Sequence, residues 1–355
     1  MSEMSIAVPN AREPFSGDPV APDEVFEPPP DIILRSSDTV DFHCHKNILA
    51  HASQFFFDMF RVGAVCENDD IHKDGKAVIP MKEGSSVLYR LLILVYPAHT
   101  SLPLGLTDPS HLDDICAVHE AANKYQMVRT QGLVEDMLVN SPLLYAHPHR
   151  FFAIASIRSI VPLVRKAALA TLRDTVDPEV PFIPEFEAIT GNRVQELNNF
   201  IQRCGKRAQG HVLRTISVHV DMLTFPEVHD TAEQPLVVTN ATTGRLFVWW
   251  RNDALTHGAQ CGPTHERLAG IPIEEVHPPA WFRNHLRQVA TALRLLPNGA
   301  TVQAAVVDVG PVERHAIASC PACAQNAPQD LANFASQLVR VVELSNERVA
   351  DEMWG

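Results

Sequence analysis

Cys320-Pro321-Ala322-Cys323 is the sharpest chemical motif in this 355-residue chain. A gap of two residues lets both sulfurs face one ion from a tight turn. A second pair of donors, Cys261 and His265, lies in the segment Cys261-Gly262-Pro263-Thr264-His265. Together the four residues offer three thiolates and one imidazole, a donor set for one structural zinc ion, with His257 or Cys204 as substitute ligands. Two other readings stand beside the metal. Unpaired reduced thiols can simply fill a small core, since free cysteine packs as a small hydrophobe. Alternatively, a Cys-x-x-Cys pair at a strand-to-helix junction can act as a thiol oxidoreductase, because a helix N-terminus lowers a thiol pKa. Residues 302–309 before Cys320 and a helix from Leu331 after it echo that context, although too little chain follows for the strands such a fold needs.

His43-Cys44-His45 also resembles a metal cluster, because alternate residues of a strand point the same way. Histidine is often partly buried for packing alone, and a structural role is the stronger reading of this tripeptide. The aromatic pairs Trp249-Trp250 and Trp281-Phe282 belong in a core, with a partner-facing role as the alternative. No phosphate-binding loop, nucleophile elbow or readable hydrolytic triad occurs, so no catalytic residue is assigned and no small-molecule substrate is evident.

These residues must be positioned by local elements. Residues 1–30 are acidic and rich in proline, including Pro28-Pro29-Pro30, and read as a disordered or extended arm. Order begins at Asp31. Ile32-Ile33-Leu34 reads as a buried strand, residues 40–44 as a half-buried one, and Ser36-Ser37-Asp38 as the turn between them. Leu49, Ala52, Phe56, Met59 and Phe60 recur at spacings of three and four, which predicts one helix over residues 46–60. Residues 63–75 read as a loop and residues 77–80 as a strand. Further helices are expected at 87–96, 112–125, 128–139, 150–159, 163–174 and 191–209, with a proline-rich joint at 177–184. The composition changes near residue 211. Beyond it, residues 236–238, 246–250 and 301–309 read as strands, and 281–296 and 330–353 as helices. The expected division is an arm at 1–30, an α+β domain at 31–140, a helical extension at 141–210 and a small mixed α/β domain at 211–355.

Composition narrows the function classes. There are 42 acidic against 29 basic residues, for a net charge of −13, which disfavours nucleic-acid binding through the phosphate backbone. The N-terminus lacks the pattern of a secretory signal, and the apolar run near residues 91–95 is too short to span a membrane. Seven cysteines without a signal read as reduced thiols, so the expected compartment is cytoplasm or nucleus.

Three ordered motifs lie in residues 31–139. The first is Asp31-Ile32-Ile33-Leu34. The second runs from Phe42 to Phe60, with His45-Lys46, Leu49-Ala50, Ser53, Phe55-Phe56-Phe57 and Met59-Phe60. The third is Ala121-Ala122-Asn123-Lys124-Tyr125. In this order and at these intervals they resemble the BTB/POZ family, and the chain's general build is similar to the BTB proteins numerous in mushroom-forming fungi. The resemblance implies a small sheet with a helical cluster and a non-enzymatic role in protein–protein interaction. The implied partners are a second copy of the chain or another protein. One version is a substrate adaptor of a cullin-type ubiquitin ligase, with residues 127–175 extending the ligase-binding surface; another is a transcriptional regulator that recruits corepressors. The resemblance also places the helix bearing Phe55, Phe56, Phe57, Met59 and Phe60 at a two-fold interface. Many dimeric members exchange an N-terminal strand. Here a proline-rich acidic arm occupies that position, which argues against a strand-swapped dimer. No Kelch repeats or paired Cys/His fingers follow the domain.

Overall fold

The computed structural model describes residues 8–17, 29–63, 72–96, 108–173, 183–219, 223, 237–251, 257, 261, 263–267 and 274–355. Most of the proline joint at 177–184 and of the loop at 63–75 lies outside them. The chain divides into two compact units, Met1–Ala146 and His147–Gly355.

The first unit is built around β1 (Ile32–Arg35) and β2 (Asp41–Cys44), which pair antiparallel. β1 also pairs in parallel with β4 (Lys76–Pro80), and β3 (His72–Lys73) closes the sheet in the order β2-β1-β4-β3. A parallel pair needs a crossover connection, and α1 (Lys46–Ala52) and α2 (Gln54–Gly63) lie within it. Ile32, Ile33 and Leu34 are all buried, as an unbroken apolar run in a central strand requires. α3 (Ser85–Val95), α4 (Leu112–Lys124), α5 (Val128–Val139) and α6 (Leu143–Ala146) complete the unit.

Two expectations need correction here. The helix expected over 46–60 is two helices. Ser53 is extended, at φ −143° and ψ 121°, and breaks the run. Its hydroxyl donates to the Tyr125 carbonyl at 2.5 Å and accepts from the Phe56 N–H at 3.1 Å, capping α2. The arm is also not wholly free. Asn10 bridges Asp41 in parallel, and backbone bonds join Pro9 and Ala11 to Asp41. Phe15 is 1% exposed, with its ring against Phe42, Tyr89 and Tyr96. Gly17 sits at φ +76° beside the His43 ring, where a Cβ would approach to 2.5 Å. Residues 9–11 therefore cover the outer edge of β2.

Three carboxylates tie these pieces together. Asp41 is fully buried, takes a fork of bonds from Arg35 at 2.6 and 2.9 Å, and accepts one from Lys73 at 2.7 Å. Burial pushes its carboxyl up, but the Arg35 and Lys73 bonds outweigh it and the net direction is down. Glu83 behaves likewise: burial raises it, and bonds from Lys124 and Tyr125 bring it below the usual range. Asp38, in the hairpin turn, is lowered to about 2 by the hydroxyls of Ser36 and Ser85. It also accepts the Ser85 N–H at the start of α3. A carboxyl depressed in the fold binds fewer protons folded than unfolded, so stability rises with pH. This contribution is complete above the unfolded range near pH ~4. It is lost as the pH falls through the folded values, toward 2 for Asp38. Acid titration of hydrogen-exchange protection in β1 and β4 should show this loss, and Asp41→Asn should flatten it. An acid limb unchanged in that variant would mean Asp41 plays no part.

The second unit is mainly helical: α7 (Pro148–Arg158), α8 (Val161–Thr171), α9 (Gly191–Arg214), α10 (Ala280–Leu295), α11 (Gly299–Val307), α12 (Pro311–Ala318) and α13 (Pro321–Trp354). A small antiparallel sheet has the order β5 (Val218–His219), β7 (Glu274–His277), β6 (Thr264–Arg267). α9 packs against α10 and α13, so the helices read as an extension share a unit with the residues beyond 211.

Several elements differ from expectation. Residues 301–309 form no strand. Asn298 accepts the Thr301 N–H at 2.8 Å and caps α11, whose Val302 and Val306 are buried at helical spacing. Residues 246–250 are not a strand either. A single bridge joins Thr239 to Leu246, and Val248–Trp250 is a 3-10 turn. The turn between them is present: the Asn240 side chain accepts the N–H of Thr242, and Gly244 takes φ +66°. α13 starts nine residues before the expected 330 and runs through Pro328.

Candidate functional site

The motif residues of the first unit are occupied in building it. Asp31 accepts the Lys46 N–H at 2.8 Å and caps α1. The backbone N–H of His45 donates to the Tyr96 hydroxyl at 2.8 Å. Leu49 is wholly buried, and Ser53 carries the link to Tyr125 described above. Lys124 donates to Glu83 at 2.7 Å, and the Tyr125 hydroxyl donates to the other Glu83 oxygen at 2.5 Å. The same pattern therefore fixes how α2, α4 and the segment after β4 meet.

The aromatic block of α2 splits between inside and outside. Phe56 is buried, stacked on Phe60 and Tyr125. Phe55 and Phe57 are 41% and 43% exposed, and Val62 is 64% exposed. Met59 and Phe60 are half-buried. Phe55, Met59 and Val62 follow helical spacing, so they form one outward stripe, whereas Phe57, two residues from both Phe55 and Met59, faces another side of the helix under the Arg61 guanidinium. Spacing alone could not assign the five residues to faces.

His43 and His45 do not converge on a shared ligand. His43 lies between Asn10 and Lys76, at 3.4 Å from each. Its pKa is lowered by burial, with Lys76 and Lys73 adding to the effect. The His45 ring meets the Tyr96 hydroxyl instead.

In the second unit, His257, Cys261, Cys320 and Cys323 place one donor atom each within 4.8 Å of one another. Cys261 Sγ lies 3.4 Å from Cys323 Sγ. His257 Nδ1 lies 3.5 Å from Cys320 Sγ and 3.9 Å from Cys323 Sγ. Cys320 is the N-cap of α13, and Cys323 sits in its first turn behind Pro321. The three expected cysteines thus come together, with His257 as the imidazole. His265 lies on β6, opposite Val276, and its side chain is outside the described set. Cys204 is buried within α9, where burial pushes its thiol up to about 12.

A nucleophilic thiol needs exposure and a depressed pKa. Cys320 is 1% exposed and Cys323 wholly buried, and burial pushes the Cys323 thiol up. Both properties run against thiol–disulfide exchange at this pair. The tail tryptophans are likewise internal: Trp249, Trp250 and Trp281 are all buried. Among the described residues no helix is long and apolar enough to cross a membrane.

The family model for the BTB/POZ domain matches residues 24–142, which include the whole stretch that carries the resemblance. No curated protein matches the chain.

Proposed function

Because residues 24–142 are a BTB/POZ domain, a protein-interaction fold, we propose that the chain is a non-enzymatic interaction module whose α2 stripe is the contact surface. The observation that carries this reading is the exposure of Phe55 and Val62, with the half-buried Met59 between them, on one face of α2. Apolar side chains grouped this way lose water on association, and aromatic anchors commonly dominate interface energies. A second copy of the chain is the first partner to test, since an isologous contact needs only one self-complementary patch. The sheet edge at β2 is a poor alternative, because residues 9–11 already pair with it.

Self-association through α2 is expected to be weak, because the proline-rich arm argues against an exchanged strand that would add to the helix face. Sedimentation of the full chain should give a concentration-dependent monomer–dimer equilibrium. Phe55→Asp should weaken it about tenfold or more, since an interfacial charge left unpaired costs over 1.4 kcal/mol. A tight dimer that keeps its affinity in Phe55→Asp would rule this surface out. Two versions of the role follow from the domain: adaptor for a cullin-type ligase and recruiter of corepressors. Direct binding of the full chain to a purified cullin, or its failure, separates them.

A further inference from the structure

We propose that His257, Cys261, Cys320 and Cys323 bind one zinc ion in a closed, structural site that ties His257 and Cys261 to the start of α13. Zn–S and Zn–N bonds of about 2.3 and 2.0 Å in a tetrahedron require S···S edges of about 3.8 Å and S···N edges of about 3.6 Å. The 3.4 Å edge between the sulfurs of Cys261 and Cys323, and the 3.5 and 3.9 Å edges from His257 Nδ1, fit that figure to within a few tenths of an ångström. The sulfur separation is far too long for a disulfide bond of about 2.05 Å, and no disulfide joins any of the three cysteines.

The imidazole is already oriented. His257 Nε2 lies 3.0 Å from the Val248 carbonyl oxygen. A carbonyl only accepts, so Nε2 carries the proton and Nδ1 turns its lone pair to the thiols. Outer partners of this kind hold a metal-binding histidine in place. Val248 is itself anchored, because its N–H donates to the buried Asp330 carboxylate at 2.7 Å. Asp330 and Cys323 lie in α13, and Cys320 is its N-cap. One helix therefore supplies two ligands directly and orients a third through Asp330 and Val248.

The charges also balance. Zinc displaces one proton from each thiol to solvent, while the imidazole remains neutral. The site then carries a single net negative charge, which suits the positive end of the helix that Cys320 caps. Four protein donors leave no position for a catalytic water, so the ion is structural.

The test is metal analysis of the full chain purified under reducing conditions, with and without added zinc. The expected result is about one zinc per chain, as a closed four-ligand site holds. Cobalt exchanged into it should give a tetrahedral visible spectrum with thiolate charge-transfer bands. His257→Ala and Cys323→Ser should each cut the zinc content severalfold, whereas His265→Ala should retain it. If a variant fails to fold, the wild-type chain still decides: chelation should release zinc and expose three new reactive thiols together. A folded wild-type chain that takes up no zinc overturns the proposal. So does an intact mass lower by two hydrogens, which would indicate a disulfide, or zinc retained when Cys320 and Cys323 are both serine.

Discussion

Leu49→Asp should unfold the BTB unit while leaving the second unit intact. Leu49 is wholly buried on α1. Removing its side chain forfeits about 3 kcal/mol of burial and packing. The new carboxylate adds several kcal/mol more, because a charge buried at an apolar position loses its hydration. The total is comparable to the ~5–15 kcal/mol that stabilises a typical domain. Hydrogen exchange on the full chain is the direct readout. Amides of β1, β4 and α4 should lose their protection, while those of α10 and α13 keep theirs, because each unit has its own core. Wild-type protection in β1 would mean that Leu49 does not hold the first unit together.

Leu49 was legible because helical spacing marks it, and β1 because three consecutive apolar residues suit a strand buried on both faces. Ser53 was not. A serine between two helical runs carries no period of its own, and its role depends on Tyr125, far along the chain. α11 was misread for a related reason. Its valines favour strands by propensity, but Asn298 caps the segment and Val302 and Val306 face one side. α13 begins before the expected 330 because it accommodates Pro328 within its span, which puts the thiol pair at a helix N-terminus. The cysteines of the cluster were recoverable from spacing, yet the choice between His257 and His265 was not. The bond to the Val248 carbonyl that orients His257 depends on Asp330, which lies far along the chain.

Trp249→Ala should destabilise the second unit by about 3–5 kcal/mol, the range for truncating a fully buried aromatic residue. The Trp249 ring is stacked at 4.0 Å on Phe282 and 4.8 Å on Phe247, and meets Phe334 edge-on at 5.8 Å. These neighbours come from α10, from the segment before the 3-10 turn and from α13, so one cavity would loosen three pieces at once. Relaxation is limited because the flanking rings are themselves fully buried. The measurement has a convenient separation. All four tryptophans of the chain, Trp249, Trp250, Trp281 and Trp354, lie in the second unit, so intrinsic tryptophan fluorescence follows that unit alone. Three remain in Trp249→Ala, and Trp354 reports from a different place, packed on Phe152 and Phe200. The denaturation midpoint should fall sharply with Trp354 still reporting a single transition, whereas Leu49→Asp should leave the fluorescence midpoint near wild type. A midpoint unmoved by Trp249→Ala would show that the aromatic cluster does not hold the second unit. A midpoint lowered equally by Leu49→Asp would show that the two units do not fold independently.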